Sequence, residues 1–199
     1  MNSFSPGFRG RARPLAHRLP PGQYPTEQFP VLSAGPTPRI PMDTWAFTVT
    51  TEQGRTHRWT WDEMMALPQQ ETVTDIHCVT RWSKFDTHWR GVPVHAFFDD
   101  VETAADHVVV HSHGGYTTNM PLDDLLDGKA WIAHTYDGNP LSPEHGGPAR
   151  LLVPHLYFWK SAKWVRGLEL TLEDEPGFWE SVGYHNYGDP WREQRNWGD

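Results

Sequence analysis

One cysteine, Cys78, occurs in a chain of 199 residues. A disulfide framework within the chain is therefore impossible, and a domain of this length must hold itself together with a hydrophobic core. The thiol sits in Asp75-Ile76-His77-Cys78-Val79-Thr80-Arg81-Trp82-Ser83-Lys84, where a strand-like run gives way to a polar, cationic loop. Positive charge stabilises a thiolate, so Arg81 and Lys84 are expected to draw Cys78 below the ~8.5 of a free thiol. The unreactive alternative is a small buried hydrophobe. His77 adjoins Cys78, but neighbours on a strand point to opposite faces, so His77 is not a base paired directly with that thiolate.

The length suits one domain, and a net charge of −8 argues against nucleic-acid or anionic-membrane partners. Residues 1–14 contain Arg9, Arg11 and Arg13 but no adjacent arginine pair and no apolar run of a secretory signal. Leu151–Trp159 is broken by Pro154 and His155 and is too short to cross a bilayer. The expectation is a soluble cytoplasmic protein.

Residues 1–41, rich in Pro and Gly, read as an extended arm; 42–172 as the domain proper; and 173–199, aromatic and turn-rich, as a tail that wraps it. Within the domain, strands are expected at Trp45–Thr51, Glu71–Cys78, His107–Ser112, Trp131–Tyr136, Arg150–Val153 and Val165–Leu172. Thr60-Trp61-Asp62-Glu63 matches a capping box opening a short helix. Trp89–Pro93 reads as a turn, Pro93 as the start of a helix to about Asp100, Met120–Leu126 as the start of another, and Asp137-Gly138-Asn139 as a hairpin turn. The fold class is α+β, with mixed sheets and short helices.

Five stretches in order carry a family resemblance: the strand into Cys78 with Arg81 three residues on; Trp89–Pro93; Gly115–Leu125; Asp137–Pro154; and Lys160–Val165. Together they resemble the sulfite-oxidase-type molybdopterin oxidoreductases, in the small subgroup that consists of the cofactor-binding domain. The likeness spans residues 45–172, and the tail from Gly177 to Arg195 resembles the segment that closes the site in bacterial members of the family.

The resemblance implies that Cys78 ligates molybdenum, a role that suits a thiolate sulfur beside a dithiolene. It places Arg150, Ser161 and Lys163, with Lys160 beside them, at the grip on the pterin and its phosphate, a ligand that calls for cations and inward N–H groups. His145 falls where relatives carry an amide facing the pterin, and an imidazole replaces only one donor or acceptor there. Thr117, or Thr118 one residue on, matches a hydroxyl on the cofactor; His155 shares a loop with Lys160, and His77 is a backbone or supporting contact. Arg81 is a candidate to bind the cofactor or draw in an oxyanion, and Tyr116 a candidate phenol at the reacting oxygen.

The implied activity is oxygen-atom transfer to or from a small sulfur substrate, sulfite-like or an S- or N-oxide, on one molybdopterin without haem. Electrons pass to or from a separate partner, and a monomer is expected. Two rival readings use other residues. His107, His111 and His113 share strand parity and so face one way, as a zinc or iron site requires. Alternatively, the eleven tryptophans make the surfaces of a non-catalytic binding domain.

Overall fold

The computed structural model describes residues 17–199. Its strands, in chain order, are β1 (Tyr24–Pro25), β2 (Ala46–Thr50), β3 (Thr56–Thr60), β4 (Gln70–His77), β5 (Trp82–Pro93), β6 (His107–Ser112), β7 (Thr117–Pro121), β8 (Trp131–Tyr136), β9 (Asn139–Pro140), β10 (Arg150–Leu152) and β11 (Val165–Thr171). Helices are short: α1 (Trp61–Ala66), α2 (Phe178–Ser181) and a few single 3-10 turns. Among the described residues no helix is long and apolar enough to cross a membrane.

One sheet has the order β3-β2-β11-β6-β7, with β11 parallel to β2 and its other neighbours antiparallel. The other is organised on β5, whose twelve residues pair with β4 along one edge and with β1 and β8 along the other; β10 and β9 extend it from β8. The mixture of parallel and antiparallel pairs with little helix is the α+β arrangement expected.

Alternation decides which side of each strand is covered. Phe47 and Val49 of β2 face inward while Thr48 between them does not, and Val108 and Val110 of β6 meet them in one buried cluster with Phe97, Leu151 and Leu168. A second cluster lies under the β4–β5 turn: Ile76, Cys78, Trp82, Trp89, Trp131 and Leu152. The two clusters leave Cys78 at an edge of packed hydrocarbon, where a strand ends.

Several expectations change. Trp89–Pro93 is not a turn but the end of β5, paired to β8 across a register shift between Arg90 and Gly91; Gly91 permits the close approach, because a Cβ there would collide with the Ile132 carbonyl oxygen. The helix expected after Pro93 is one 3-10 turn, Val94–Phe97, and that after Met120 is another, Leu122–Asp124, because Thr117–Pro121 is taken into the sheet as β7. β3 pairs with β2 although its own sequence alternates poorly. The capping box forms as expected: Thr60 Oγ1 accepts from the Glu63 amide, and the Glu63 carboxylate accepts from the Thr60 amide at 2.7 Å.

Candidate active site

β4 carries a register shift between Thr74 and Ile76 and ends at His77, which delivers Cys78 into a tight turn. The turn closes through Arg81 N donating to Cys78 O at 2.9 Å and Cys78 N donating to Trp82 O at 2.9 Å, with Arg81 at φ +77°. Cys78 Sγ lies 3.1 Å from Thr80 Oγ1 and opens on a cavity of about 500 Å³.

Burial pushes the Cys78 thiol up from its ordinary value, and the Thr80 hydrogen bond and the charge of Arg195 pull it back in part. The cations expected to lower it do not do so. Arg81 is exposed and stands outside the cavity lining, because the left-handed turn residue carries its side chain away, and Lys84 spends its ammonium on the Glu27 carbonyl at 2.7 Å.

Two cations, Arg150 and Lys163, line the same cavity as Cys78. Arg150 is 1% exposed, stacks over the Phe158 ring at 4.1 Å, and donates to the carbonyls of His145 at 2.8 Å and Ser161 at 2.5 Å. Lys163 donates to the carbonyls of Leu32 at 2.7 Å and Glu144 at 2.6 Å, and burial, helped by Arg150, pushes its ammonium down to about 8. Neither side chain has a carboxylate partner within ion-pair reach among the described residues. A cation withdrawn from water without counter-charge, as Arg150 is, is costly unless an anion joins it, and a soft sulfur in the same cavity suits a metal held by sulfur ligands. The residues therefore fit an anionic molybdopterin: Cys78 would meet the metal, and Arg150, Lys163 and Ser161 would face the pterin and its phosphate.

Gly146 makes this grip possible. It sits at φ +108°, where an L side chain is strained, and a Cβ on it would stand 3.0 Å from Lys163 Cα and 3.1 Å from Arg150 Cβ. Ser161 and Lys163 do share the cavity, but in an irregular segment rather than the strand-like spacing expected.

The other candidates are placed as follows. Tyr116 lines the cavity, yet its hydroxyl donates to Trp159 O at 2.7 Å, and burial, followed by Glu180, raises the phenol well above its ordinary value. His77 is buried on the far side, bonded through Nδ1 to Ser83 Oγ at 2.8 Å and capped by Trp191, and burial lowers it to about 4. His145 lies beside the grip rather than on the cavity wall, bonded to Ser142 Oγ and the Phe29 carbonyl at 3.0 Å each and stacked on Phe29.

Thr117, Thr118, His155 and Lys160 stand outside the cavity lining. Thr117 takes its place in β7, and Thr118 donates to Glu180 at 2.7 Å. His155 meets Asp124 at 3.0 Å. Lys160 is fully buried and donates to the carbonyls of Asn119 and Asn186 and to Glu180, each at 2.6 Å. That bond set anchors the tail from behind rather than meeting a ligand. His107, His111 and His113 are not gathered into a metal-holding group among the described residues. His111 pairs with Glu169 on the outer sheet face, whereas His113, beyond a register shift in the β6–β11 pair, turns to the cavity.

The structure adds residues that sequence reasoning missed. Phe29 and Leu32 of the arm form part of the wall, and so do Trp179 and Tyr184 of the tail. Tyr184 stacks on Trp179 at 4.9 Å and meets Trp159 edge-on at 5.1 Å; burial, and then Cys78, push its phenol up, and Tyr184 and Cys78 line the same cavity. The signals for Tyr184 were the tail's aromatic richness and the family resemblance of the segment from Gly177 to Arg195, neither of which singles out one residue.

Comparisons with known proteins bear on the family and the fold. A family model described as an oxidoreductase molybdopterin binding domain matches residues 34–179. The uncharacterized oxidoreductase YuiH of Bacillus subtilis is 45% identical over 181 residues, covering 89% of this chain and 91% of its own. A putative protein-methionine-sulfoxide reductase subunit, YedZ1, of Azospira oryzae is 33% identical, covering 66% of this chain and 51% of its own length. The catalytic subunit MsrP of a protein-methionine-sulfoxide reductase from Pseudomonas syringae is 26% identical, covering 72% and 48%. This chain thus spans about half the length of those two relatives. The sulfane dehydrogenase SoxCD of Paracoccus pantotrophus shares the fold, with a TM-score of 0.61 at 16% identity over 69% of this chain and 41% of that one.

Proposed function

This chain belongs to the oxidoreductase molybdopterin-binding family, and we propose that it reduces a neutral S-oxide, using molybdopterin bound at Cys78 and electrons from a separate redox partner. When bound, molybdopterin supplies a two-electron centre able to exchange an oxygen atom with a substrate. The observation that carries the choice of substrate is the wall of the cavity. Beside Cys78 it is aromatic, with Trp82, Phe158, Trp159, Trp179 and Tyr184, and its cations, Arg150 and Lys163, are the ones the pterin and its phosphate require. A dianion such as sulfite needs further cations, and Arg81 stands outside the lining. A sulfoxide carrying hydrocarbon groups needs none, and two of the relatives bear names of methionine-sulfoxide reductases.

In the balanced reaction one sulfoxide, two electrons and two protons give one sulfide and one water. The sulfur–oxygen bond breaks, the sulfur is reduced, and the electrons arrive singly from the partner. The chain's own residues orient the sulfoxide against the aromatic wall and exclude water around it. Tyr184, its phenol held protonated by burial, is the group placed to hand a proton to the departing oxygen.

The test is elemental analysis of wild type and Cys78→Ser expressed in a host that makes the cofactor, followed by turnover of a methionine sulfoxide and of sulfite with artificial electron carriers. Wild type is expected to hold molybdenum and to reduce the sulfoxide. The serine variant is expected to keep its circular dichroism and lose turnover. Wild type without molybdenum would end the cofactor reading, and turnover of sulfite alone would reverse the direction.

A further inference from the structure

Arg195 reaches the Cys78 turn at Val79, across 116 positions of chain, and the contacts it makes are specific. Its side chain is 10% exposed. Nη1 donates to the Val79 carbonyl at 2.6 Å, Nη2 donates to the Pro21 carbonyl at 3.3 Å, and the guanidinium stacks over the Tyr157 ring at 5.0 Å. One side chain thus ties together the turn that carries the sulfur, the N-terminal arm and the segment leading to Phe158 and Ser161. Its nearest carboxylate, Glu193, is 4.0 Å away and half exposed, so most of the charge is left uncompensated.

The surroundings are shaped to this guanidinium. Gly22, at φ +69°, holds a backbone conformation that strains an L side chain, and a Cβ there would stand 2.6 Å from the Glu193 carboxylate and 3.3 Å from Arg195 Nη2, so both side chains would have to shift. The backbone fixes it too, since Arg195 O accepts from His185 N at 3.1 Å and Tyr184 bridges to Asn196. The same bridge that sets Tyr184 in the cavity wall sets Arg195 beneath the sulfur-bearing turn.

We propose that Arg195 is a positioning residue of the Cys78 centre: it holds the 78–81 turn through the Val79 carbonyl and supplies the fixed positive charge that a thiolate bonded to a metal requires. A guanidinium suits both tasks, since its planar fork serves two carbonyls at once and its charge is permanent. The metal role rests on the molybdopterin reading above; the effect on the sulfur does not, and the experiment separates them.

Cys78 is the sole cysteine, so alkylation of cofactor-free protein by iodoacetamide, followed by intact mass at one fixed pH below that of thiol ionisation, reports one site. Arg195→Gln keeps a donor for Val79 but removes the charge, and alkylation is expected to slow by roughly 3- to 10-fold as the thiolate fraction falls. Arg195→Lys keeps the charge and is expected to restore most of the rate. A purely structural role predicts the opposite sign, because a loosened turn exposes the sulfur and speeds the reaction. Glu193→Gln, at a half-exposed position, removes the opposing carboxylate and is expected to speed alkylation; it carries the test if the glutamine variant does not fold. Equal rates in wild type, Arg195→Gln and Glu193→Gln, or faster alkylation of Arg195→Gln, would overturn the proposal. In cofactor-loaded protein, loss of the charge is expected to lower the metal's reduction potential in Arg195→Gln and to leave it near wild type in Arg195→Lys, and an unshifted potential in the glutamine variant would overturn the metal role. Wild type free of molybdenum would sink the cofactor reading while leaving the alkylation result standing.

Discussion

At the scale of single residues, His77 and Cys78 show how adjacent positions acquire opposite fates. The sulfur opens on the cavity, while the imidazole is buried at 5% exposure between Ser83 and the Trp191 ring. Burial disfavours the imidazolium and holds His77 at about 4 in the folded protein, below the ~6.5 of an unfolded chain. The folded pKa is the lower one, so the unfolded state binds the proton first: the contribution is whole above about pH 6.5 and is lost as pH falls toward about 4. Its full size is about 3 kcal/mol on this shift. Urea denaturation of wild type and His77→Asn at a series of pH values checks this. The wild-type stability is expected to fall more steeply than the variant's between pH 7 and 5; parallel curves would show that His77 is not held neutral by burial.

The same scale shows where sequence reading ran out. The strand into Cys78 was legible because β-branched residues alternate into a polar loop. The cations around the sulfur were not, because sequence proximity suggested Arg81 and Lys84, whereas backbone geometry turned one outward and a carbonyl claimed the other. The cation that does reach the turn is Arg195, through the Val79 carbonyl, and no local pattern signals a contact across 116 positions. Lys160 stands away from the cavity lining for the opposite reason. It stands in the matching stretch, but a buried ammonium must find partners, and Glu180 with two carbonyls supplied them away from the cavity.

At the scale of elements, the strands with strong alternation or a β-branched run, β6 and β8, were readable to the residue, while β3 and β7 were not. Their own residues carry weak signals, and pairing with β2 and β6 assigns them. α1 is readable because its start is chemical rather than periodic. The reciprocal bonds of Thr60 and Glu63 satisfy amides that a six-residue helix cannot satisfy by itself. Thr60→Ala removes the hydroxyl acceptor and is expected to cost about 1 kcal/mol, read as a lower denaturant midpoint at unchanged slope. Because α1 lies outside the cavity wall, molybdenum content should stay at the wild-type level. A large fall in content would mean that the helix supports the site in a way its contacts do not show.

At the scale of the whole molecule, the sheets build only part of the site, and the arm and tail complete it. Phe29 and Leu32 arrive from one end of the chain and Trp179 and Tyr184 from the other. The tail is held by one buried group above all: Glu180 Oε1 accepts from Thr118 Oγ1 at 2.7 Å, from Trp159 Nε1 at 2.8 Å and from Lys160 Nζ at 2.6 Å. The ammonium is fully buried, and burial lowers Lys160 while Glu180 draws it back up. Such a pair adds little over a well-packed apolar substitute, but removing one partner strands the other without water. Lys160→Met is therefore expected to destabilise the protein by about 3 kcal/mol, and Lys160→Met with Glu180→Gln to recover part of that loss, because no uncompensated charge remains. The tail carries Tyr184 and Arg195, so the single variant should also admit protease to the segment after Gly177 before the sheets unfold. Limited proteolysis with mass spectrometry, run beside thermal denaturation, reads both effects. If Lys160→Met matches wild type in midpoint and in cleavage pattern, the tail is held by its aromatic stacking, and the buried pair is incidental to closing the cavity.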